Sequence, residues 1–140
     1  MNRAPRGTSE RGQISAFLVA GVTGLLVMAG LVLDGGLALA AKVEAISQAQ
    51  EAARAGAQQL DLTAYRNDGT LTLDPAAATT AAQRYLNAAG ATGTVTVAGN
   101  TITVSVTAVQ QTQLLGLAGI DAFTVEGTGS AQPHRNVTEP

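Results

Sequence analysis

The stretch "GLVLDGGLALAAKVEAISQ" (Gly30–Gln48) decides how this chain folds. An uncharged apolar run ends at Asp34, two glycines follow, and an Ala- and Leu-rich stretch then continues with helical spacing. Three kinds of segment share this pattern: a signal peptide cleaved near residues 38–40, a membrane anchor at the point where it leaves the bilayer, and the middle of one long helix that lies half in lipid and half outside it. The flanking sequence separates them.

The apolar run before Asp34 has the length of a membrane span. The twenty residues Ile14–Leu33 carry no charge, and at about 1.5 Å per residue they extend roughly 30 Å, the thickness of the hydrocarbon core. A cleavable signal peptide has a shorter apolar core, about 7–15 residues. We therefore predict an uncleaved transmembrane helix. The alternative is a secreted or surface protein-binding module that is released by cleavage after Ala40.

Basic residues indicate the orientation of this helix. Residues 1–13 carry three arginines and one glutamate, whereas Lys42 is the nearest basic residue beyond the run. Because positively charged flanks stay on the cytoplasmic side, we expect a single-pass protein of the cell membrane with its N-terminus in the cytoplasm. The predicted parts are a basic cytoplasmic segment (1–13), a transmembrane helix (14–33), an extracytoplasmic domain (34–131) and a flexible tail (132–140).

Small residues mark two places in the anchor. Ala16, Ala20 and Gly24 recur every four residues and therefore share one helical face, where a second transmembrane helix can approach closely. The alternative to a packing face is that the spacing is coincidental, because Ala and Gly are common throughout this chain. Asp34-Gly35-Gly36 marks the membrane exit, because Asp34 needs water and glycine relaxes the helix where it leaves lipid.

Helical periodicity resumes after the glycines and predicts a helix from Leu37 to about Leu60 that continues the anchor. Its apolar residues fall at spacings of three, four or seven and form a narrow stripe suited to packing on a flat sheet. The members of this stripe are Leu39, Val43, Ile46, Ala53, Ala57 and Leu60. A polar link (61–69), a short strand (70–73) and a helix from the Asp74-Pro75 start signal to Gly90 follow.

The segment "TGTVTVAGNTITVSVTA" (residues 92–108) predicts a β-hairpin. Two alternating runs flank Gly99-Asn100, a two-residue loop suited to a type II′ turn. Pairing across this loop sets the hydroxyl-bearing residues on one face and aliphatic residues on the other, so one face can be buried. The aliphatic pairs are Val97 with Ile102 and Val95 with Val104.

A third strand is predicted at Phe123–Gly129, where apolar and polar residues alternate. Before it, "TQLLGLAGI" predicts a short helical turn whose Leu114, Leu115, Leu117 and Ile120 either cover the end of the sheet or stay exposed to a partner. The predicted fold class is therefore α+β: a long N-terminal transmembrane helix that continues into an amphipathic helix, packed on a small antiparallel sheet with a second helix.

Residues that carry chemistry are scarce. The chain has no cysteine and one histidine, His134, in the predicted tail, and no His, Asp or Glu cluster has metal-ligand spacing. Beyond Asp34 the chain is acidic, and it has two tyrosines and no tryptophan, which argues against nucleic-acid binding. We predict a protein that is not an enzyme, with no catalytic residue, no cofactor, no metal and no small-molecule substrate.

The chain resembles the TadE/TadG-like proteins of the tight-adherence (Flp) pilus system over most of its length, and most strongly in its first sixty residues. The resemblance is carried by Arg11-Gly12 before the apolar run, by Asp34-Gly35-Gly36 at the membrane exit, and by an Ala-rich helix with a central acid at residues 50–55. It implies a pilin-like layout, with a long N-terminal helix packed against a small sheet. It also implies a pilus-assembly component or minor pseudopilin whose partners are the membrane, other pilus or pseudopilin subunits, and inner-membrane assembly proteins.

The resemblance also points to prepilin-type processing between Gly12 and Gln13. Pseudopilins that are processed in this way usually carry Glu five residues after the glycine, where this chain has Phe17. This departure favours a membrane-retained, non-catalytic assembly component of the TadG-like kind.

Overall fold

The computed structural model describes residues 9–134, and the side chains from Ile14 onward. Most of the predicted basic segment and the end of the predicted tail lie outside the described residues. The described chain divides into two compact units. One contains the chain up to Gly36 together with Thr112–Asp121, and the other contains Leu37–Gln111 and the chain from Ala122 onward. The fold is α+β, as predicted, with a long apolar helix, further helices and a small antiparallel sheet.

Helix α1 spans Ser9–Ala57 and does not end at Gly35-Gly36. Both glycines keep helical backbone, and a side chain added at either would meet nothing within 4 Å. The helix is therefore continuous through Gly30–Gln48. It is far longer than the average of about 11–12 residues in globular proteins.

The sheet is built from β1 (Thr92–Ala98), β2 (Thr101–Gln111) and β3 (Ala122–Ala131), in the order β1-β2-β3. All pairs are antiparallel. The predicted hairpin register is confirmed, with Val97 opposite Ile102 and Val95 opposite Val104. In the two-residue loop Gly99 has φ 58° while Asn100 has negative φ, as a type II′ turn requires.

The second half of α1 packs on β3 through residues without bulk. Ala49 is fully buried, and Gly129 of β3 lies so close that an added Cβ would come 2.5 Å from the Gln50 nitrogen. The predicted stripe is therefore wrong in its first turns: Leu39 and Val43 are 64% and 59% exposed. Small residues form the packed face because only they let the helix backbone approach the strand this closely. The buried alanines of α1 are Ala45, Ala49, Ala52, Ala53 and Ala57.

The helix α3 (Pro75–Ala88) begins where its start signal predicts. Asp74 accepts hydrogen bonds from the Ala76 and Ala77 backbone nitrogens, both at 3.0 Å, and Pro75 occupies the first turn. Its buried face, which contains Leu86, meets β1 and β2. The core joins this face to α1 and to the central strand, where Ile102, Val104 and Val106 are buried.

Two predictions between α1 and α3 are wrong. The segment read as a polar link contains the short helix α2 (Leu62–Asp68), because Asp61 caps it by accepting from two backbone nitrogens. The segment read as a strand at residues 70–73 forms only a single bridge, between Leu60 and Leu73. Its backbone groups are taken by the Asn100 side chain, which accepts from the Leu73 nitrogen and donates to the Leu71 oxygen.

Candidate functional site

The carboxylate of Asp34 is buried, although it stands at the end of an apolar run. The residue is 1% exposed, and three consecutive backbone nitrogens donate to it. Gln113 donates to Oδ1 at 2.7 Å, and Leu114 and Leu115 donate to Oδ2 at 3.0 and 2.7 Å. The expectation that Asp34 needs water is therefore wrong, because backbone N–H groups replace the water that a carboxylate would otherwise bind.

The three donors lie near the start of a loop, Thr112–Asp121, which we call the exit loop. Thr112 closes its base: its nitrogen donates to the Asp121 oxygen at 3.0 Å, and its hydroxyl donates to the backbone oxygens of Ile120 and Asp121. The 3₁₀ helix Leu115–Ala118 forms the centre of the exit loop, as the predicted helical turn suggested, and it ends at Gly119 with φ 89°. The left-handed conformation at this position favours glycine.

The electrostatics at Asp34 favour the ionised form. Burial alone would raise the pKa of Asp34, but hydrogen bonds from the backbone N–H groups of Leu115, Gln113 and Leu114 outweigh it, and the pKa lies below its ordinary value. Asp34 directly follows the uncharged run 14–33 and lies outside the predicted membrane span. Its charge is stabilised by backbone dipoles rather than by a cation.

The exit loop packs against α1 on the N-terminal side of Asp34. A Cβ added at Gly30 would come 3.2 Å from the Leu114 Cβ, so glycine permits the close approach here. Leu115 is buried, whereas Leu117 is 91% exposed. An apolar cavity of about 310 Å³ separates Thr23, Leu26, Val27 and Gly30 of the helix from Leu114, Leu115, Leu117 and Ala118 of the loop.

The exit-loop leucines therefore match neither predicted alternative completely. Leu114 and Leu115 contact or face α1, while Leu117 and Ile120 remain exposed. The hydrogen bonds to Asp34 explain the difference, because they hold the start of the loop at the helix.

The structure places the remaining predicted site residues on α1. Ala16, Ala20 and Gly24 are exposed, and a side chain added at Gly24 would meet nothing within 4 Å, so no described part of the chain covers this stripe. Gly12 and Gln13 belong to the helical backbone, and their side chains lie outside the description. Three roles stay predictions: the packing role of the stripe, the membrane-exit role of Asp34-Gly35-Gly36, and the processing site.

Groups suited to catalysis do not converge in the described chain. Within residues 9–134 no three His, Asp or Glu side chains are placed to hold a metal ion. Asp61 and Asp74 serve as helix caps. His134 is exposed at the rim of a shallow groove that Gln50 and Arg54 also line.

The sequence indicated Asp34 as a notable residue but did not indicate the groups that bind it. The signal was present in part, because an unpaired carboxylate in a helix next to an apolar run requires hydrogen-bond donors. The donors lie 79 to 81 residues further along the chain, and no periodicity connects the two segments.

A known family matches the N-terminal part of the chain. Residues 12–59 match the Tad family model, described as "Putative Flp pilus-assembly TadE/G-like". The match covers nearly all of α1 and ends just beyond it. No curated protein and no solved structure matches the chain.

The features of α1 agree with this family. Among the described residues, α1 is the one helix that is long and apolar enough to cross a membrane. The description of the matching family refers to Flp pilus assembly. The predicted resemblance is confirmed for residues 12–59, which are TadE/TadG-like and include most of the long N-terminal helix.

Proposed function

We propose that this protein is a non-catalytic, membrane-anchored component of Flp pilus assembly. Residues 14–33 would cross the membrane once, with residues 1–13 in the cytoplasm and residues 34–131 on the outer side. The observation that carries the proposal is the coincidence of the TadE/G-like match, residues 12–59, with a helix whose first half contains the uncharged run 14–33 and exposes its large apolar side chains.

The exposure of this first half supports anchoring in lipid. Its large apolar side chains are 47% exposed at Leu33 and up to 83% exposed at Phe17. A contiguous apolar surface of this size is unfavourable in water, whereas a bilayer solvates it and the helix satisfies its own backbone hydrogen bonds. The arginines before Gly12 support the proposed orientation, because such flanks stay cytoplasmic.

The interaction partners would be other pilus or pseudopilin subunits and inner-membrane assembly proteins. The small-residue stripe Ala16, Ala20 and Gly24 supports this part of the proposal, since it offers a second transmembrane helix a close approach. Phe17, at the position where processed pseudopilins carry glutamate, supports retention in the membrane without cleavage after Gly12.

Single cysteines test the topology, because the chain contains none of its own. A membrane-impermeant thiol reagent should label a cysteine at Ser47 in cells whose outer envelope is permeable to the reagent, and should leave one at Ser9 unlabelled. The native N-terminal residue, determined on the same membrane fraction, should be Met1 or Asn2. Labelling at Ser9 or an N-terminus at Ala41 would refute the anchor, and an N-terminus at Gln13 would refute retention without processing.

Pilus production tests the assembly role. A strain that lacks this chain should display fewer or no Flp pili, and the full chain should restore them. A normal number of pili in the deleted strain would contradict the proposed function.

A further inference from the structure

The exit loop combines an apolar tip with a polar base. The seven residues Leu114–Ile120, "LLGLAGI", contain no polar side chain. Polar residues flank them, with Thr112 and Gln113 before and Asp121 after. At the tip, the Leu117 side chain is 91% exposed, an unfavourable placement for a leucine in water.

The tip lies beside a part of α1 that belongs to the uncharged run. Leu117 and Ala118 face Thr23, Leu26 and Val27 across the apolar cavity. Thr23 precedes Asp34 by eleven residues, or about 16 Å along a helix at 1.5 Å per residue. If residues 14–33 cross the bilayer, as the proposed function states, the tip of the exit loop reaches the outer half of the hydrocarbon layer.

Backbone N–H groups of the exit loop have hydrogen-bond partners inside the protein. Irregular backbone is tolerated at membrane depth only where its polar groups have partners inside the protein. The N–H groups of Gln113, Leu114 and Leu115 bind Asp34, and that of Thr112 donates to the Asp121 oxygen. Further along, the nitrogens of Leu117, Gly119 and Ile120 donate to backbone oxygens of Leu114, Gly116 and Leu115, at 3.1 to 3.2 Å.

We propose that the exit loop is a re-entrant membrane contact whose tip, Leu114–Ile120, inserts into the acyl chains of the outer leaflet. The inference rests on the proposed transmembrane anchor. Lipid is the occupant that the structure favours, because the tip continues the apolar surface of α1 residues 14–33 and lies alongside that surface. Asp34, which follows the uncharged run, would hold the start of the loop beside α1 by accepting its N–H groups.

Depth-dependent fluorescence quenching tests the inference on the full-length protein. Single cysteines at Leu117, Leu18 and Thr94 carry a nitrobenzoxadiazole probe in phosphatidylcholine vesicles that contain lipid with a nitroxide on the acyl chain. Leu18 is an exposed residue of the predicted span outside the cavity, and Thr94 is an exposed residue of β1. A second loop position, the exposed Ala118, repeats the measurement at the tip.

We expect the probes at Leu117, Ala118 and Leu18 to lose most of their emission and the probe at Thr94 to lose none. Quenching at Leu18 without quenching at the two loop positions would overturn the inference and leave the anchor intact. A loop probe that is shielded from a water-soluble quencher, yet not reached by the nitroxide lipid, would mean that protein covers the tip, and would overturn it too. If Leu18 is not quenched, the anchor itself is refuted, and the inference with it.

Discussion

Asp34 binds three successive N–H groups that lie 79 to 81 residues away in the chain. Its two carboxylate oxygens can accept all three hydrogen bonds, because an ionised carboxylate accepts several hydrogen bonds and donates none. Two of the three donors, Leu114 and Leu115, share Oδ2. At this residue an isosteric change of one atom is therefore expected to alter the attachment of the whole exit loop.

The substitution Asp34→Asn is expected to loosen the exit loop. Asparagine keeps one acceptor oxygen but places an NH₂ group where the second oxygen stood, so at least one of the three N–H groups loses its partner. Hydrogen exchange on the full-length protein should show faster exchange at residues 113–115. Asp61→Asn is the matched control, because asparagine caps helices as well as aspartate does and α2 should persist. Unchanged exchange at residues 113–115 in Asp34→Asn would contradict the role assigned to this carboxylate.

The same contact should depend on pH in one direction. Because the pKa of Asp34 is lowered in the folded chain, its contribution to stability is present above the unfolded pKa and is lost as the pH falls through the folded value. The amide proton shifts of residues 113–115 should therefore stay constant from neutral to weakly acidic solution and change only in strong acid. In Asp34→Asn this transition should be missing, and its persistence there would assign it to another group.

At the scale of elements, the helix–strand contact between α1 and β3 depends on the absence of side chains. Gly127 and Gly129 occupy the inward positions of β3, and the helix backbone fills the space that a Cβ would need. Alanines on the facing side of α1 complete a thin interface. Close packing of this kind replaces the bulky core that the composition does not supply, since the chain has only four aromatic residues.

Gly129→Ala should destabilise the domain strongly. Its Cβ would stand 2.5 to 2.7 Å from backbone atoms of Ala49 and Gln50, which cannot rotate away. Overpacking of this kind typically costs about 1–3 kcal/mol and occasionally more. Calorimetry on the detergent-solubilised full chain should show a clear drop in melting temperature. Ser130→Ala, on the exposed face of the same strand, should leave the melting temperature nearly unchanged, and equal drops for both would disprove the packing argument.

The hairpin permits a second test on neighbouring positions of β2. Val104 is fully buried, whereas Thr103 points to the other face and is only partly covered. Val104→Asp buries an unpaired carboxylate, which is expected to cost several kcal/mol of the roughly 5–15 kcal/mol that holds a small domain together. Thr103→Asp should be tolerated. Similar melting temperatures for the two variants would show that the faces are wrongly assigned.

At the scale of the whole molecule, the first half of α1 exposes a long apolar surface that the exit loop covers in part, beside residues 23–30. Its large apolar side chains are all exposed, and the stripe of Ala16, Ala20 and Gly24 runs along it. Lipid would solvate most of this surface. Small side chains make few contacts with lipid, but they allow two helices to pack closely. If the protein acts in pilus assembly as proposed, we expect this stripe to contact another subunit.

Gly24→Leu should weaken association between membrane subunits in a bacterial two-hybrid assay. The added side chain fills the groove of the stripe but meets nothing in the chain itself, so the fold should be preserved. Ala29→Leu is the control: it also introduces a leucine at an exposed position of α1, but half a turn around the helix from Ala20. Equal association of the two variants would leave the stripe without a role.

The features that the sequence determined by itself are those whose causes lie within a few residues. The length of the uncharged run, the Asp74-Pro75 start of α3 and the register around Gly99-Asn100 depend on local spacing, local capping and a local turn. The resemblance of the first sixty residues to the TadE/TadG-like family is of the same kind, because it is carried by one continuous segment.

Only the tertiary structure decided the features that join distant segments. Hydrophobicity predicted that Leu39 and Val43 would be buried, but the close approach of β3 selected alanines instead, since the helix fits against Gly127 and Gly129 only where its own side chains are small. Asp34 was expected in water because it follows the apolar run, where the helix was predicted to leave lipid. Its partners are backbone N–H groups, which every residue carries and no sequence pattern marks, so only the folded chain could bring residues 113–115 to it.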